Sequence, residues 1–297
     1  MLNLVTVVGS NTHLLPHMLK HYEGKVDKVY VAVYRQDEND GVLEEVLDLG
    51  IKPCIITTDE KYNWERVTAL YNYIKRTKPN DWWIVSDDDE FQVYSKVISD
   101  IIKICDESGY EFVTGGFVDR IGKNGTFAEI KEDSNLWELF PMAGFFRYPL
   151  SGACPNKVTM CKGYIEVTPG QHYAKIDGQT TWKWQGWNHP LRFPTTQNFT
   201  QVHHFKWDST VLDRLQDVAN VKSEFSYSNE YQTMYDAIKS NNFKISPWLI
   251  YVLVIAGFIA LNYFGGSGFQ DTTKISYSKF NEYLNKGQIE KVIIYNR

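Results

Sequence analysis

Residues 80–91 read Asn-Asp-Trp-Trp-Ile-Val-Ser-Asp-Asp-Asp-Glu-Phe, and the reading of the chain turns on them. The run 82–86 has the length and apolar character of a buried strand, and it leads directly into Asp87, Asp88, Asp89 and Glu90. Four adjacent carboxylates repel one another and raise one another's pKa unless a cation or hydrogen bonds compensate. Hard divalent ions supply that compensation, binding through one or two carboxylates together with phosphate oxygens. The alternative is a helix N-terminus, where acids favour the first turn. Glu90 fits that role as well as it fits a metal site.

Outward from this stretch, strands and helices alternate. Residues 4–8, 26–34, 52–57 and 111–117 are β-branched or apolar runs that join 82–86 as strands. Between them, 14–21, 41–49, 64–78 and 94–108 carry helical character. Strands separated by helices predict an α/β fold with a parallel, doubly wound sheet. Ligands bind such sheets beyond the carboxyl ends of the strands, where the acid run sits.

Composition narrows the class. A net charge of −5 over 297 residues gives no basic face for nucleic acid, which is not an expected partner. Aromatic content of 15% suits sugar-binding clefts and ordinary cores alike. Cys54, Cys105, Cys154 and Cys161 form no C-x-x-C pair, which argues against a structural zinc and for a reducing compartment. The opening MLNLVTVVGSNT lacks the pattern of a signal peptide and reads as a first strand. Asn124-Gly-Thr126 and Asn198-Phe-Thr200 are sequons that matter only in a secretory lumen.

The last fifth of the chain differs. No charged side chain occurs over 245–270, and 245–264 supplies the roughly 20 apolar residues of a transmembrane helix. Trp248, Tyr251 and Tyr263 lie near its ends, as interfacial aromatics do, although a buried hairpin helix has the same composition. The expected arrangement is a domain over 1–240, one transmembrane helix over 245–264 and a short α+β tail over 269–297. The large domain is expected in the cytoplasm, with residues after Gly268 outside.

Two resemblances add to this reading. SPWLIYVLVIAGFIALNYFGG followed by ISYSKFNEYLNKGQIEKVIIYNR resembles the N-terminal helix and exported domain of the membrane-anchored AAA+ zinc protease FtsH. No H-E-x-x-H occurs, and the nearest approach to a Walker A loop, Gly116 to Asn124, has one residue too many and Asn where Ser or Thr must hold Mg²⁺. Protease chemistry is excluded. NDWWIVSDDDEF, in turn, resembles the D-x-D segment of family 2-like glycosyltransferases, with Asp87 and Asp89 on its two acids. THLLPHMLKHY, GFVDRIGKNGTFAEI, NLWELFP, KVTMCKGYIEVTPGQH and VHHFKWDSTVLDRL follow the same ordered series over about residues 2–220. This resemblance implies a GT-A fold (Rossmann-like, mostly parallel, with flanking helices), a nucleotide-sugar donor and a Mn²⁺ or Mg²⁺ ion. The acceptor would be a glycan, a lipid or a small molecule. The first loop reads Gly-Ser-Asn-Thr in place of the R-N-E common in related families, which leaves the base-contacting residues open.

Candidate site residues follow. Asp87 and Asp89 are metal ligands, and a late histidine, His203 or His204, would complete the set. Strand alternation lets only one of that pair face inward, and His204 is the one expected there, against a structural role for both. Asn11, Asp37, Arg66, Asp87, Asp88 and His172 are candidate donor contacts. An inverting transferase needs a carboxylate base, for which Asp119 and Glu138 are candidates. Asp119 could equally be ion-paired to Arg120, and a retaining enzyme needs no base. His17 and His21, spaced i, i+4, read as a solvated helix face. The rival readings are a sugar-binding or scaffold domain without catalysis, and an inactive fusion to a protease fragment.

Overall fold

The computed structural model describes residues 1–9, 12–180, 189–220, 228–240 and 286. The chain divides into two units, Met1–Lys244 and Ile245–Arg297. Apart from residue 286, the second unit lies outside the described residues.

The first unit opens with β1 (Leu2–Val8), α1 (Leu15–Tyr22), β2 (Lys28–Arg35), α2 (Val42–Asp48), β3 (Ile55–Thr58), α3 (Trp64–Arg76) and β4 (Trp82–Val85). Strands β3, β2, β1 and β4 pair in that order, all parallel. β4 is buried along its whole length, with Trp82 and Ile84 in one core and Trp83 and Val85 in another. That split is the two-residue period of a strand covered on both faces. Helix α3 starts where the Asn63 side chain accepts from the Glu65 and Arg66 amides, satisfying donors the first turn leaves free.

The second half of the unit departs from the parallel pattern. β5 (Glu90–Val93), α4 (Ile98–Ser108), β6 (Phe112–Ile121), α5 (Leu136–Leu139), β7 (Met142–Gly144), α6 (Arg147–Ser151) and β8 (Asn156–Lys162) follow. Then come β9 (Glu166–Val167), β10 (Ala174–Ile176), β11 (Gln179–Thr180), β12 (Thr200–His204), α7 (Val211–Asn220) and α8 (Ser228–Lys239). The nine-stranded sheet runs β3-β2-β1-β4-β8-β6-β12-β5, with β7 on β6. β8 is antiparallel to both β4 and β6, β5 to β12, and β7 to β6, while β6 and β12 are parallel. The sheet is therefore mixed, which corrects the expectation of a mostly parallel one. Strands β9 to β11 form a separate antiparallel sheet. A third core of Ile121, Trp207, Val211, Leu215 and Met234 lies under α7 and α8.

The alternative reading of the acids at 87–90, a helix N-terminus, is not what the structure has: they turn into β5, which pairs with the distant β12. The expected transmembrane helix finds no support: no helix among the described residues is long and apolar enough to cross a membrane. Residues 245–264 and the tail 269–297 lie outside the described residues, apart from residue 286. No single-pass placement is supported among the described residues.

Candidate active site

Three neighbouring strands build the site by register. His204 on β12 stands beside Asp119 on β6 and beside Glu90 on β5. Register partners share a face of a sheet, so the three side chains point the same way. The next row, His203 with Val118 and Phe91, points to the opposite face. Gly115 makes the close approach of β6 and β12 possible, since a Cβ there would lie 2.0 Å from the Thr200 carbonyl oxygen.

His204 joins two acids. Its Nε2 lies 3.2 Å from Asp89 Oδ2, and its Nδ1 lies 3.1 Å from Asp119 Oδ1. The other Asp119 oxygen accepts from the Arg147 amide at 3.0 Å. Burial disfavours charge on His204, but the Asp89 carboxylate and the two hydrogen bonds outweigh it and raise its pKa. Burial likewise opposes ionisation of Asp89 and Asp119, and the imidazole overrides it, holding both below the usual carboxylate range.

A second cation sits beneath the run. Lys157 on β8 is 1% exposed, and its Nζ lies 2.6 Å from Glu90 Oε1 and 3.4 Å from Asp87 Oδ2. Burial pulls the Lys157 pKa down, and the Asp87 and Glu90 charges more than reverse that, so it stays protonated. Burial lifts Glu90 to about 7 against the pull of Lys157. Asp87 Oδ1 also accepts from the Tyr71 hydroxyl at 2.7 Å and from Gln171 Nε2 at 3.2 Å. Against its burial, Lys157 and these hydrogen bonds keep Asp87 low. Gln171 reaches it from consecutive left-handed residues, Gly170 at φ 66° and Gln171 at φ 51°. A non-glycine residue in that region is strained unless its surroundings hold it there.

Asp88 is the exception. Among the described residues its carboxylate has no ion-pair partner and no hydrogen bond beyond its own amide. Burial, then the charges of Asp89 and Asp87, push it well above its ordinary value. The side chain is partly open to solvent. Arg214 and Lys206 are the basic side chains that act on Asp89, and Arg214 acts on Asp88.

The donor set fits a divalent cation. Asp89, Glu90 and His204 each offer a ligand atom, all within 4.8 Å of one another. A carboxylate behind a ligating histidine fixes its ring and raises its basicity, and Asp119 stands in that position. Asp88 adds a further acid next to this group, with no direct ion-pair partner among the described residues.

The remaining sequence candidates are dispersed. His172 lies near Lys157, its Nδ1 2.8 Å from the Asn156 carbonyl, with burial and then Lys157 depressing its pKa to about 4. His203 accepts from Arg120 Nε at 3.0 Å and packs on Trp137, and burial, then Arg120, lowers it to about 4. Glu138 is exposed on α5 and accepts from Asn135 Nδ2 at 2.8 Å. Arg66 faces Asp59 at 3.8 Å and lines a groove of about 890 Å³ with Glu166 and Lys175. Asp37 is exposed after β2 and accepts from the Asn39 amide. Asn11 lies outside the described residues. His17 and His21 each place Nε2 on a backbone carbonyl, of Lys131 and Gln92. Sequence reasoning missed Lys157, Tyr71 and Gln171. Lys157, in the strand stretch NKVTMCK, was the one local signal, since a charge that becomes buried demands a partner.

Comparisons with known proteins bear mainly on the tail. The family described as FtsH Extracellular matches residues 247–297, within the stretch where the tail resemblance was drawn. No curated protein matches the chain. Among solved structures, S. aureus TarS 1-349 in complex with UDP is 10% identical, with 96% of this chain and 78% of that chain covered and a TM-score of 0.32. A 4-diphosphocytidyl-2C-methyl-D-erythritol synthase is 11% identical, with 55% and 75% covered and a TM-score of 0.31. Mannose-6-phosphate isomerase from Helicobacter pylori is 15% identical, with 42% and 53% covered and a TM-score of 0.27. The chain thus spans about half the length of that isomerase. Likeness of this degree leaves the reading to the chain's own residues.

Proposed function

We propose that the chain is a divalent-cation-dependent glycosyltransferase of the GT-A, family 2-like type. In this reading it moves a sugar from a nucleotide-sugar donor to a glycan, lipid or small-molecule acceptor. The observation that carries the reading is the group Asp89, Glu90 and His204, whose ligand atoms lie within 4.8 Å of one another, with Asp88 beside it where β4 ends. Asp89 and His204 would hold the ion, Mn²⁺ or Mg²⁺, with Asp88 and Glu90 alongside. A bound ion would supply charge neutralisation for a departing diphosphate. Asp87, held by Lys157, Tyr71 and Gln171, fixes the turn that presents Asp88 and Asp89. Asp119 orients His204, a role that replaces acceptor base, because both of its oxygens are engaged and it is 1% exposed. The transferase domain extends to about residue 240.

The test is donor turnover across UDP-, GDP- and CMP-sugars with Mn²⁺ or Mg²⁺. Turnover that stops in EDTA and returns with either ion supports the reading. Full turnover in EDTA overturns it.

A further inference from the structure

Phe117 on β6 is a hub for the basic side chains of the site. Its ring has the Arg147 guanidinium over it at 4.4 Å and the Lys157 ammonium at 5.2 Å. The His204 and His172 rings lie 5.2 and 6.2 Å away. Three of the four are already committed. Lys157 is held by Glu90 and Asp87, His204 by Asp89 and Asp119, and His172 by the Asn156 carbonyl. Arg147 is not. Among the described residues its guanidinium makes no hydrogen bond and no ion pair, and its Nε is buried without a partner. Its backbone amide is fixed on Asp119, so the side chain starts from an anchored point at the wall of the site.

An arginine held this way is set up for a ligand. Stacking on Phe117 fixes the guanidinium plane, and a planar fork of donors matches paired oxyanions. A buried donor without an acceptor is costly, and a bound oxyanion removes that cost. Arg147 is also distinct from Arg214, which is engaged by Asp208 at 3.0 Å and by the Lys206 carbonyl.

We propose that Arg147 is an anion-binding residue of this site and takes a phosphoryl group of a substrate through its guanidinium. The identity of that substrate rests on the transferase reading; the anion does not. Two sources offer the chemistry, the diphosphate of the donor and a phosphate on the acceptor.

The full chain, as wild type, R147K and R147Q, would be titrated calorimetrically with UDP, GDP, uridine, inorganic pyrophosphate and inorganic phosphate, with and without Mg²⁺. R147Q should weaken pyrophosphate or phosphate by about 10- to 100-fold, as expected for a charged hydrogen bond, and leave uridine unchanged. R147K, which keeps the charge but loses the fork, should fall between, and it carries the test if R147Q lowers the melting temperature. An equal loss for a nucleoside diphosphate assigns the donor. An unchanged nucleoside diphosphate, with loss of phosphate binding to the nucleotide-saturated protein, assigns an acidic acceptor. Pyrophosphate and phosphate binding equal in wild type and both variants overturns the inference, as does their absence in the wild type. A wild type that binds pyrophosphate through Arg147 but no nucleoside diphosphate removes the donor reading and leaves this inference standing.

Discussion

Asp87 and Glu90 rest on a buried lysine that belongs to the chain, whereas of Asp88 and Asp89, between them in sequence, Asp89 is held by the titratable His204 and Asp88 has no direct partner among the described residues. A permanent cation makes the outer pair part of the framework at all times. The inner pair depends instead on His204, a cation that can give up its proton. One run of four acids thus combines a permanent support with a pair whose counter-charge is titratable.

The comparison is broken most directly at its support. Lys157→Met leaves Glu90 buried without its cation, and breaking such a pair should cost about 3–5 kcal/mol in urea unfolding. A K157M/E90L double variant should recover most of that loss, because an apolar replacement of a buried pair is often close to neutral. A single variant as stable as wild type would show that Lys157 is not a support.

The next effect separates the two pairs. D89N should lower Mn²⁺ affinity by about a hundredfold or more, with D87N losing about tenfold or less, since Asp87 acts through the turn. A Mn²⁺ titration followed by electron paramagnetic resonance reads both. Equal losses would merge the pairs. D119N should fall between them, at about 10- to 100-fold, as expected for the group behind a ligating histidine.

The smallest effect is in pH. The raised His204 pKa contributes stability to the metal-free protein that is fully present below about 6.5, the unfolded value. That contribution is lost as pH rises through the folded value. Asp89 and Asp119 have the opposite sign, and theirs is lost only as pH falls through the acid range. In EDTA, the melting-temperature gap between wild type and H204Q should therefore narrow as pH rises above about 6.5. Cation affinity should rise over the same interval, because the ion displaces the His204 proton. A gap that widened with pH would mean that His204 is neutral in the metal-free protein.

The sequence by itself determined the elements whose signals are local. The strand–helix alternation through β4 was legible because apolar periodicity needs no distant partner. So was the placing of the acid run at the end of an apolar strand. The opposite facing of His203 and His204 was equally legible, since alternation is a property of any strand. What only the tertiary structure decided is every feature that depends on pairing between residues far apart in the chain. β5, which carried no strand signal of its own, formed because β12 pairs with it across more than a hundred residues. β8 entered antiparallel between β4 and β6, turning a parallel sheet into a mixed one and bringing Lys157 under acids 67 and 70 residues away. Asp119, in sequence a candidate base or a partner of Arg120, stands behind His204 because β6 and β12 align. Local chemistry writes which residues can carry charge. Only long-range registration decides which of those charges are already cancelled.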